Sequence, residues 1–576
     1  MGVRDAPSSE FLQKAFPKLL KPMQKINLPL AVKNVDVLDY EMVARLSSYD
    51  PRPLQFFKSM IPYLYDESLY AHVPEPGPLK YTGFRGDEER MMETHKFVLH
   101  YGDVLGTVYG FKVAQFFKGN FRPVWSCYIR DFFKKQLPHY HLQTARNMAR
   151  RLFALSRMPG TIFVQFDFKA FYDQFPLSKG VQGYFCFRGR NDRTYALTRL
   201  PMGFNLACAI AQSTTWQLLN FQKRSSVFTC IDNVAFAGTV DDVVHDVRNF
   251  LARCDLVGAT LNELTPEFIK KFLTGSDAVQ RRVVESLHQD DFTFLGVRYQ
   301  WANSTKCLSD KTRGKLQAIH HCVSNMPAYV TPRQLASVFG VLRYSSAVLD
   351  KPSLHQYDVL AWARRLAHFL QCDLTRWDTT CIRFPMGHRM ALLEWIDEVL
   401  DSAPVPYFSS LPVPVPPTIV SDASGNGWGA ILIDKERIAP IAGKWRVHMG
   451  SSVQAEPQGV LEAALALFPD GAPPVVSVLV DHLPLVYAAN SLAPRAYSYN
   501  SALLELKDHF PSTRFVFSFL PGRLNLADGL SRGVNAPLEY EKARDVAGTG
   551  WCSALTNPYQ QPACAICHLV DSEWQC

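Results

Sequence analysis

The acidic residues of this sequence that are best suited to chemistry fall into two separated groups. The first group consists of Asp167 and Asp232. The second group consists of Asp422, Glu456, Asp481 and Asp528. Carboxylates are hard oxygen ligands for divalent cations, and paired cations are a common means of making or breaking phosphodiester bonds by in-line displacement. The two groups therefore predict two metal-dependent sites that act on nucleic acid.

The segments that precede four of these acids are typical of β-strands. Residues 161–166 and 226–231 are rich in β-branched and aromatic side chains, and each segment leads directly into an aspartate. Asp422 and Asp481 follow further segments of the same kind. Neighbouring strands that end in aspartates can bring their carboxylates side by side on one sheet. The sequence therefore predicts that sheets position both acidic groups.

Length and composition indicate a large globular chain with several domains. The chain has 576 residues, of which 47% are hydrophobic and 20% are charged. Its net charge of +8 suits a polyanionic partner, but it would also suit an ordinary basic enzyme. Charge alone therefore does not choose between function classes.

The cysteine pattern and hydropathy predict where the protein works. The 13 cysteines show no spacing typical of disulfides, which favours a reducing intracellular compartment, cytoplasmic or nuclear or both. No apolar leader and no segment long enough to span a bilayer is evident, so we expect a soluble protein with no membrane partner.

Five motifs follow one another in the first two thirds of the chain. They are Asp167 with Ala170, Tyr172 and Phe175-Pro176-Leu177; Leu200-Pro201-Met202-Gly203-Phe204; Cys230-Ile231-Asp232-Asn233; Gly258-Ala259-Thr260-Leu261-Asn262-Glu263; and Phe294-Leu295-Gly296. Their order and spacing resemble the catalytic motifs of reverse transcriptases, and five ordered motifs are far more specific than any one of them. The resemblance implies a DNA polymerase in which Asp167 and Asp232 are catalytic and bind two Mg²⁺ ions, with Mn²⁺ as an alternative.

The third motif departs from the family at one position. Asn233 stands where reverse transcriptases have a second aspartate, and an amide brings no charge to the cations. Either the site works with two aspartates, which we favour, or its activity is reduced. The lysine that the family places soon after the fourth motif also has no clear equivalent, because Glu263 follows Asn262 here.

The resemblance also implies residues that contact the incoming nucleotide. Tyr172 would lie under the sugar and exclude a 2′-hydroxyl, although it could instead be a core aromatic residue. Phe168 and Met202 are placed in the same site, with Met202 in the position of a frequent glutamine. Gly203 would let the backbone approach the template or nucleotide closely. Asn233 is also among the residues predicted to contact the nucleotide.

Basic residues in a predicted fingers hairpin complete the nucleotide site. Lys118 and Arg122 lie in a segment that resembles the family's hairpin, whose cations grip the triphosphate. Surface lysines and arginines are abundant, so an ordinary solvent-exposed role is the alternative at both positions.

The second acidic group lies in a segment that resembles ribonuclease H domains. Residues 520–532 match the closing motif of that family almost residue by residue. The resemblance implies that Asp422, Glu456, Asp481 and Asp528 are catalytic, bind two Mg²⁺ ions and cleave the RNA strand of an RNA–DNA hybrid. Glu462 competes with Glu456, but we expect it to be an ordinary helix residue. We place Glu456 at the start of a helix, with Pro457 in the first turn.

The resemblance implies an α+β multidomain fold. A right-hand polymerase, with an antiparallel palm sheet, fingers and a helical thumb and connection, would precede an α/β ribonuclease H-like domain. The predicted segments are 1–95 without an assigned role, 96–300 fingers and palm, 301–403 thumb and connection, 404–417 a proline-rich linker, 418–535 the nuclease domain, and 536–576 a tail.

The implied partners are an RNA template, a DNA primer, an RNA–DNA hybrid and deoxynucleoside triphosphates, while the oligomeric state stays open. The third motif and the Pro-Met-Gly sequence favour tyrosine-recombinase retroelements of the DIRS and VIPER kind, with long-terminal-repeat retrotransposons and pararetroviruses as alternatives. A second hypothesis is a catalytically weak or domesticated scaffold that binds nucleic acid, motivated by Asn233 and the missing lysine.

The end of the chain contains a group of possible zinc ligands. They are Cys552, Cys564, Cys567, His568 and Cys576. Only one pair has close spacing, so we do not expect zinc there, and we expect a frayed tail.

Overall fold

The computed structural model describes residues 3–5, 27–115, 118–370, 376–407, 411–435, 437–491, 494–535 and 542–556. The chain divides into two compact units, which we name the amino-terminal unit (Lys21–Thr305) and the carboxy-terminal unit (Lys306–His568, together with Val3–Asp5). Both contain helices and sheets, so the prediction of a multidomain fold of mixed α and β structure is confirmed.

The strands are β1 (Val3–Asp5), β2 (Phe97–Leu99), β3 (Val108–Gln115), β4 (Asn120–Cys127), β5 (Thr161–Asp167), β6 (Cys186–Arg188), β7 (Thr194–Leu197), β8 (Ser226–Cys230), β9 (Asn233–Thr239), β10 (Asp291–Phe294), β11 (Val297–Gln300), β12 (Thr305–Leu308), β13 (Tyr329–Val330), β14 (Thr380–Arg383), β15 (Val405–Pro406), β16 (Thr418–Ala423), β17 (Gly427–Asp434), β18 (Arg437–Lys444), β19 (Val475–Val480) and β20 (Arg514–Phe519).

The α-helices are α1 (Tyr40–Arg45), α2 (Pro51–Met60), α3 (Gly86–Met92), α4 (Ala145–Ser156), α5 (Lys179–Gln182), α6 (Ala207–Leu218), α7 (Val240–Val257), α8 (Pro266–Thr274), α9 (Asp277–Ser286), α10 (Asp310–Ser324), α11 (Pro332–Val348), α12 (Tyr357–Leu370), α13 (Arg376–Thr379), α14 (Met386–Leu400), α15 (Ser452–Leu467), α16 (Leu483–Ser491), α17 (Tyr497–His509), α18 (Asp528–Ser531) and α19 (Ala543–Thr556). Short 3₁₀ helices occupy Ile61–Leu64, Glu67–Tyr70, Tyr128–Arg130, Phe132–Gln136, Phe171–Gln174 and Gly522–Leu524.

An antiparallel sheet of three strands in the order β5-β9-β8 forms the centre of the amino-terminal unit. Asp167, the last residue of β5, lies opposite Asn233, the first residue of β9. Cys230 of β8 also lies opposite Asn233, so Ile231 and Asp232 form the turn between these two strands. The two predicted strands are therefore present and paired with β9 between them.

The turn that carries Asp232 contains a strained residue. Ile231 has a φ of 55°, in the left-handed region that β-branched residues rarely adopt. Two buried polar side chains of α6 hold it in place: Gln212 Oε1 accepts a hydrogen bond from Ile231 N–H at 2.6 Å, and Thr215 Oγ1 donates to Ile231 O at 2.6 Å. Such strain persists only where the surrounding structure determines it.

Residues 27–95, which had no assigned role, pack into the same hydrophobic core as the central sheet. Leu38, Phe57, Leu64 and Phe84 are all buried in the core cluster that contains Phe166. The early residues of the amino-terminal unit therefore help to build the support of the sheet. Scattered aromatic residues without a periodic pattern did not indicate this long-range packing.

A mixed sheet of five strands in the order β18-β17-β16-β19-β20 spans Thr418 to Phe519. Strands β18, β17 and β16 pair antiparallel, whereas β16, β19 and β20 pair parallel. Val420 lies opposite Leu479 in the parallel pair, and two residues further along each strand come Asp422 and Asp481. The register therefore brings both aspartates to the same edge of the sheet.

The helices predicted for residues 310–400 are present as α10, α11, α12 and α14. Helix α11 begins with a capping box, in which Gln334 N–H donates to Thr331 Oγ1 at 3.4 Å and Thr331 N–H donates to Gln334 Oε1 at 2.9 Å. Pro332 occupies its first turn, as its missing N–H allows.

The expectation of a frayed tail is wrong for residues 542–556. Helix α19 buries Ala547, Trp551 and Ala554. The indole Nε1–H of Trp551 donates to Pro412 O at 3.0 Å, which fixes the helix to the proline-rich segment. Burial of the apolar side chains along one side of α19 stabilises this helix. The group of possible zinc ligands further along the chain gave no indication of the helix. Among the described helices, none is both long and apolar enough to cross a membrane.

Gly203 lies where the loop before α6 meets β4. Its φ is 112°, and a Cβ atom at this position would lie 2.1 Å from the carbonyl oxygen of Trp125. Trp125 N–H donates to Met202 O at 2.7 Å, so the loop and the strand are held together. The sequence predicts that Gly203 lets the backbone approach the template or nucleotide, which stays a prediction; in the structure the close neighbour of Gly203 is the backbone of Trp125.

Replacing Gly203 with alanine is expected to lower the free energy of unfolding by about 2 kcal/mol or more, because the new methyl group meets backbone and the φ angle is unfavourable. Chemical denaturation of the purified protein measures this loss. Gly77→Ala is the matched control, since a Cβ atom there meets nothing within 4 Å, and it should stay within about 0.5 kcal/mol of wild type. Equal stabilities of the two variants would contradict the packing assigned to Gly203.

Candidate active sites

The side chains of Asp167 and Asp232 lie together at the end of the central sheet. Asp167 ends β5, and Asp232 lies in the turn between β8 and β9. The two carboxyl groups are close enough for each to shift the pKa of the other. Phe168 N–H donates to Asp232 O at 2.8 Å, which ties the two chain segments together. The structure therefore brings the two predicted aspartates into one centre.

Asn262 and Glu263 hold Asp167 in position. The Asn262 amide Nδ2 donates to Asp167 Oδ2 at 3.0 Å, and Glu263 Oε2 accepts from Asp167 N–H at 3.1 Å. Asn262 N–H also donates to Asp167 O at 2.8 Å. The sequence reasoning quoted these two residues as a motif but gave them no role. Two polar side chains in succession at the end of that motif were the feature of the sequence that could have indicated this positioning role.

Burial and mutual repulsion perturb this pair of acids. Burial, followed by the charge of Asp232, raises the pKa of Asp167 to about 7. Burial also raises the pKa of Asp232, while the positive charges of Lys118 and Arg122 act in the opposite direction. Two neighbouring carboxylates resist simultaneous ionisation. Near neutral pH the metal-free pair therefore retains a proton, and divalent cations would stabilise the fully ionised form.

A cavity of about 460 Å³ opens onto the two aspartates. Lys118 and Arg122 line it, as do Lys33, Lys96 and Arg199, to which the sequence reasoning gave no role. Cations around paired carboxylates can neutralise a bound triphosphate. The structure therefore places Lys118 and Arg122 in the wall of this cavity, and their role with a triphosphate stays a prediction.

Three of the predicted nucleotide contacts also lie in the wall of this cavity: Phe168, Tyr172 and Met202. The ring of Phe168 is buried and stacks on Phe171 with centroids 4.2 Å apart, so this side chain belongs mainly to the core. Tyr172 is half-buried, and its hydroxyl lies 3.2 Å from Cys208 Sγ. Burial raises the pKa of Tyr172. Its ring therefore forms a fixed wall beside the aspartates.

Asn233 and Gly203 are not part of the cavity lining. Asn233 lies directly opposite Asp167 on the neighbouring strand, so the two side chains point to the same face of the sheet. The Asn233 Oδ1 atom is buried and has no hydrogen-bond partner among the described residues. Asn233 therefore stands beside the metal-binding candidates and contributes no charge to them.

Three of the four acids of the second group form a cluster. Ligand oxygens of Asp422, Glu456 and Asp481 all lie within 4.8 Å of one another. Asp422 and Asp481 come from the parallel strands β16 and β19, and Glu456 comes from α15. The carboxyl ends of parallel strands are a common place for ligand sites in α/β sheets.

The electrostatics of this cluster fit a divalent cation. Burial raises the pKa of Asp422 to about 6 and that of Glu456 to about 8, and the neighbouring carboxylates add to both shifts. Glu456 Oε2 is buried without a hydrogen-bond partner among the described residues. Burial also raises the pKa of Asp481. Three hard oxygen donors, one of them unpaired, are suited to Mg²⁺.

The helix that carries Glu456 begins earlier than predicted. Helix α15 starts at Ser452, so Glu456 is not at its first position and Pro457 lies inside the helix. Pro457 cannot donate a hydrogen bond to the preceding turn. The first turn is held instead by Gln454 N–H and Ala455 N–H, which both donate to Ser451 O. Because proline is common in the first turn of a helix, Pro457 led to a predicted helix start that is too late in the sequence.

Asp528 lies outside the close cluster. Arg532 holds its carboxylate, with Nη2 2.8 Å from Asp528 Oδ1, although the charge of Asp528 still raises the pKa of Asp422 and Asp481. Asn525, which the sequence did not single out, is buried, donates to Ser421 O at 3.1 Å and lies close enough to Asp481 to lower its pKa. A buried amide within the closing motif therefore positions one of the cluster acids.

Two further predictions concern residues away from the cluster. Glu462 lies within α15 and accepts a hydrogen bond from Gln458 at 2.9 Å, as expected for an ordinary helix residue. Cys552 is exposed on α19. The remaining possible zinc ligands, Cys564, Cys567, His568 and Cys576, lie outside the described residues.

Comparisons with known proteins found likeness in solved structures only. No protein-family model matches the sequence, and none of the curated proteins matches it. A foamy viral protease–reverse transcriptase in complex with double-stranded DNA aligns over 88% of this chain and 85% of its own, with 13% identity and a TM-score of 0.41. A second complex with double-stranded DNA aligns over 90% and 95%, with 14% identity and a TM-score of 0.40.

A complex of the foamy viral enzyme with an RNA/DNA hybrid aligns over 84% of this chain and 64% of its own, with 13% identity and a TM-score of 0.42. Likeness at this level does not establish a function for this chain. The function of the chain is therefore inferred from its carboxylate geometry.

Replacing Glu456 with glutamine is expected to flatten the dependence of stability on pH in the metal-free protein. The folded-state pKa of about 8 exceeds the ordinary value of 4.5. The stabilising contribution of this carboxyl group is thus complete below about pH 4.5 and is lost as pH rises through 8. In EDTA at pH 8.5 the Glu456→Gln variant should exceed wild type by about 1–3 kcal/mol, and at pH 4.5 the two should agree.

Thermal melts across this pH range test the expectation, and excess Mg²⁺ should stabilise wild type more than the variant. The matched control is Glu462→Gln, on the same helix, which should keep the pH dependence of wild type. A parallel loss of stability with pH in wild type and Glu456→Gln would contradict the assignment of Glu456 to a strained acidic cluster.

Proposed function

We propose that the chain is an RNA-directed DNA polymerase with linked ribonuclease H activity, which copies retroelement RNA into DNA and degrades the RNA strand of the hybrid. One observation carries the proposal: a single chain contains two partly buried carboxylate clusters, each at the ends of strands in a different sheet. Polymerisation and hybrid cleavage are both phosphoryl transfers that paired cations support.

In the polymerase centre, Asp167 and Asp232 would hold two Mg²⁺ ions, or Mn²⁺ in their place. Bound cations supply charge for the triphosphate and make the primer 3′-hydroxyl a better nucleophile. Asn262 and Glu263 fix Asp167 for this task through their hydrogen bonds. Lys118 and Arg122, in the cavity wall, are placed to neutralise the triphosphate.

In the nuclease centre, Asp422, Glu456 and Asp481 would hold the cations that activate water for attack on the RNA strand. Asn525 keeps Asp481 oriented. Asp528 is the fourth acid in this proposal. It would complete the site if its carboxylate left the ion pair with Arg532 and bound a cation instead.

The proposal extends to partners and origin. An RNA template, a DNA primer, an RNA–DNA hybrid and deoxynucleoside triphosphates are the substrates that fit both centres. The motif around Asp232 and the Pro-Met-Gly sequence support an element of the DIRS or VIPER kind. The described cysteines are present as thiols, which is compatible with action in the cytoplasm or nucleus.

The two activities are expected to separate by mutation. With purified protein, Mg²⁺, a primed RNA template and deoxynucleotides, Asp232→Ala should lower primer extension by about 10³-fold or more and leave hybrid cleavage near the wild-type rate. Asp422→Asn should produce the reverse pattern. Melting profiles confirm that each variant is folded.

Loss of both activities from one folded variant would contradict separate centres. Absence of extension and cleavage by the wild-type protein would favour the alternative of a nucleic-acid-binding scaffold, which Asn233 motivates. Restoring the acid with Asn233→Asp offers a further comparison, because it adds a carboxylate opposite Asp167.

Tyr172 is expected to discriminate against ribonucleotides. Removing its ring with Tyr172→Ala opens the cavity wall beside the aspartates, so the ratio of ribonucleotide to deoxynucleotide incorporation should rise by about tenfold or more. Tyr172→Phe is the matched control, because it keeps the ring and loses only the hydroxyl contact with Cys208. Single-nucleotide kcat/KM values measure the ratio, and equal ratios for both variants would contradict a steric role of the ring.

A further inference from the structure

A second cavity, of about 310 Å³, lies in the carboxy-terminal unit, away from the nuclease cluster. Helices α11 and α12 form most of its wall. Its lining includes the apolar side chains of Leu335 and Phe339, the indole of Trp377, and three arginines, Arg343, Arg364 and Arg495. The cavity therefore combines an apolar wall with a concentration of positive charge.

The three arginines repel one another. Burial lowers the pKa of Arg343, and the charges of Arg364 and Arg495 lower it further. Burial also lowers the pKa of Arg364, where the charges of Arg495 and Arg365 act in the same direction and Tyr357 acts against them. Among the described residues, no carboxylate contributes to the pKa of Arg343 or Arg364. Clustered guanidinium groups without a nearby anion are unfavourable in a partly buried site.

Hydrogen-bond donors in this cavity are left without partners. Arg364 Nη2 and Trp377 Nε1 are both buried and have no acceptor among the described residues. Leaving a buried donor unpaired destabilises the folded protein. Both groups can donate to an oxyanion, whereas neither can accept a hydrogen bond. The missing partner is therefore an acceptor rather than another donor.

The surrounding contacts hold the arginines in place. The guanidinium carbon of Arg364 lies 5.6 Å from the centre of the Tyr357 ring, and the Tyr357 hydroxyl donates to Arg495 O at 3.2 Å. Arg343 Nη1 donates to Ser353 Oγ at 3.4 Å. Tyr357 thus links two of the three arginines, and an anion would find donors that are already oriented.

We propose that this cavity binds the phosphate of a nucleotide, with the arginines around the phosphate and the attached nucleoside against Leu335 and Phe339. Guanidinium groups match phosphate through paired hydrogen bonds, and apolar or aromatic side chains accept the face of a base. The phosphate belongs either to a free nucleotide or to a nucleic-acid strand. The site uses no residue of the two carboxylate centres, so it does not depend on the function proposed for them.

Titration of the full-length protein with adenosine 5′-monophosphate in EDTA tests the free-nucleotide source, because EDTA removes the cations that the carboxylate centres would need. Isothermal titration calorimetry should show binding that weakens about tenfold or more in Arg364→Ala and Arg343→Ala. Adenosine, which lacks the phosphate, should not bind. Arg364→Lys keeps the charge without the guanidinium fork and should weaken binding by a smaller factor.

The matched control is Arg365→Ala. Arg365 is the next residue on α12, is exposed and does not line the cavity. The substitution therefore removes one positive charge close to Arg364 without changing the lining of the cavity. Its affinity for adenosine 5′-monophosphate should stay within about twofold of wild type. Matching melting temperatures show that the variants are folded.

A strand as the source of the phosphate is tested with an RNA–DNA hybrid duplex in EDTA. Arg364→Ala should then reduce the slope of log affinity against log salt concentration by about one, with Arg365→Ala unchanged. An effect on the mononucleotide identifies a free-nucleotide site, and an effect on the hybrid alone identifies a strand-phosphate site. If Arg364→Ala matches Arg365→Ala with both ligands, the cavity does not bind phosphate and the proposal is wrong.

Discussion

Carboxylates held against one another and away from water are the constraint on which both candidate centres depend. Such groups destabilise the folded chain unless a proton or a cation neutralises them, since burial and repulsion both disfavour the ionised forms. The raised pKa values of Asp167 and Glu456 express this cost. The rest of each unit can be understood as the packing that offsets it and keeps the acids together.

The two units keep their acids together in different ways. In the amino-terminal unit, Asp232 lies in a strained hairpin turn, where buried Gln212 of α6 accepts a hydrogen bond from Ile231 N–H. Asn262 and Glu263 hold Asp167 at the end of β5. In the carboxy-terminal unit, the parallel register of β16 and β19 aligns two aspartates directly. One centre therefore depends on polar side chains that fix a turn, and the other on sheet geometry.

Much of this could be predicted from the sequence, because strands ending in aspartates have a strong local pattern. The acids, the two sheets and the helices of residues 310–400 follow from periodicity, turn residues and motif order. The positioning roles of Asn262, Glu263 and Asn525 could not be predicted, since they depend on contacts between distant segments. The same holds for the arginine cavity. Pro457 misled the prediction because its local preference for a first turn is outweighed by the packing of α15.

The central claim is that each cluster captures divalent cations of its own. Anomalous diffraction from crystals grown with Mn²⁺ tests it most directly, since it locates the cations without reference to activity. We expect anomalous density between Asp167 and Asp232, and separate density among Asp422, Glu456 and Asp481. Density at only one of these places, or at neither under saturating Mn²⁺, would contradict the account.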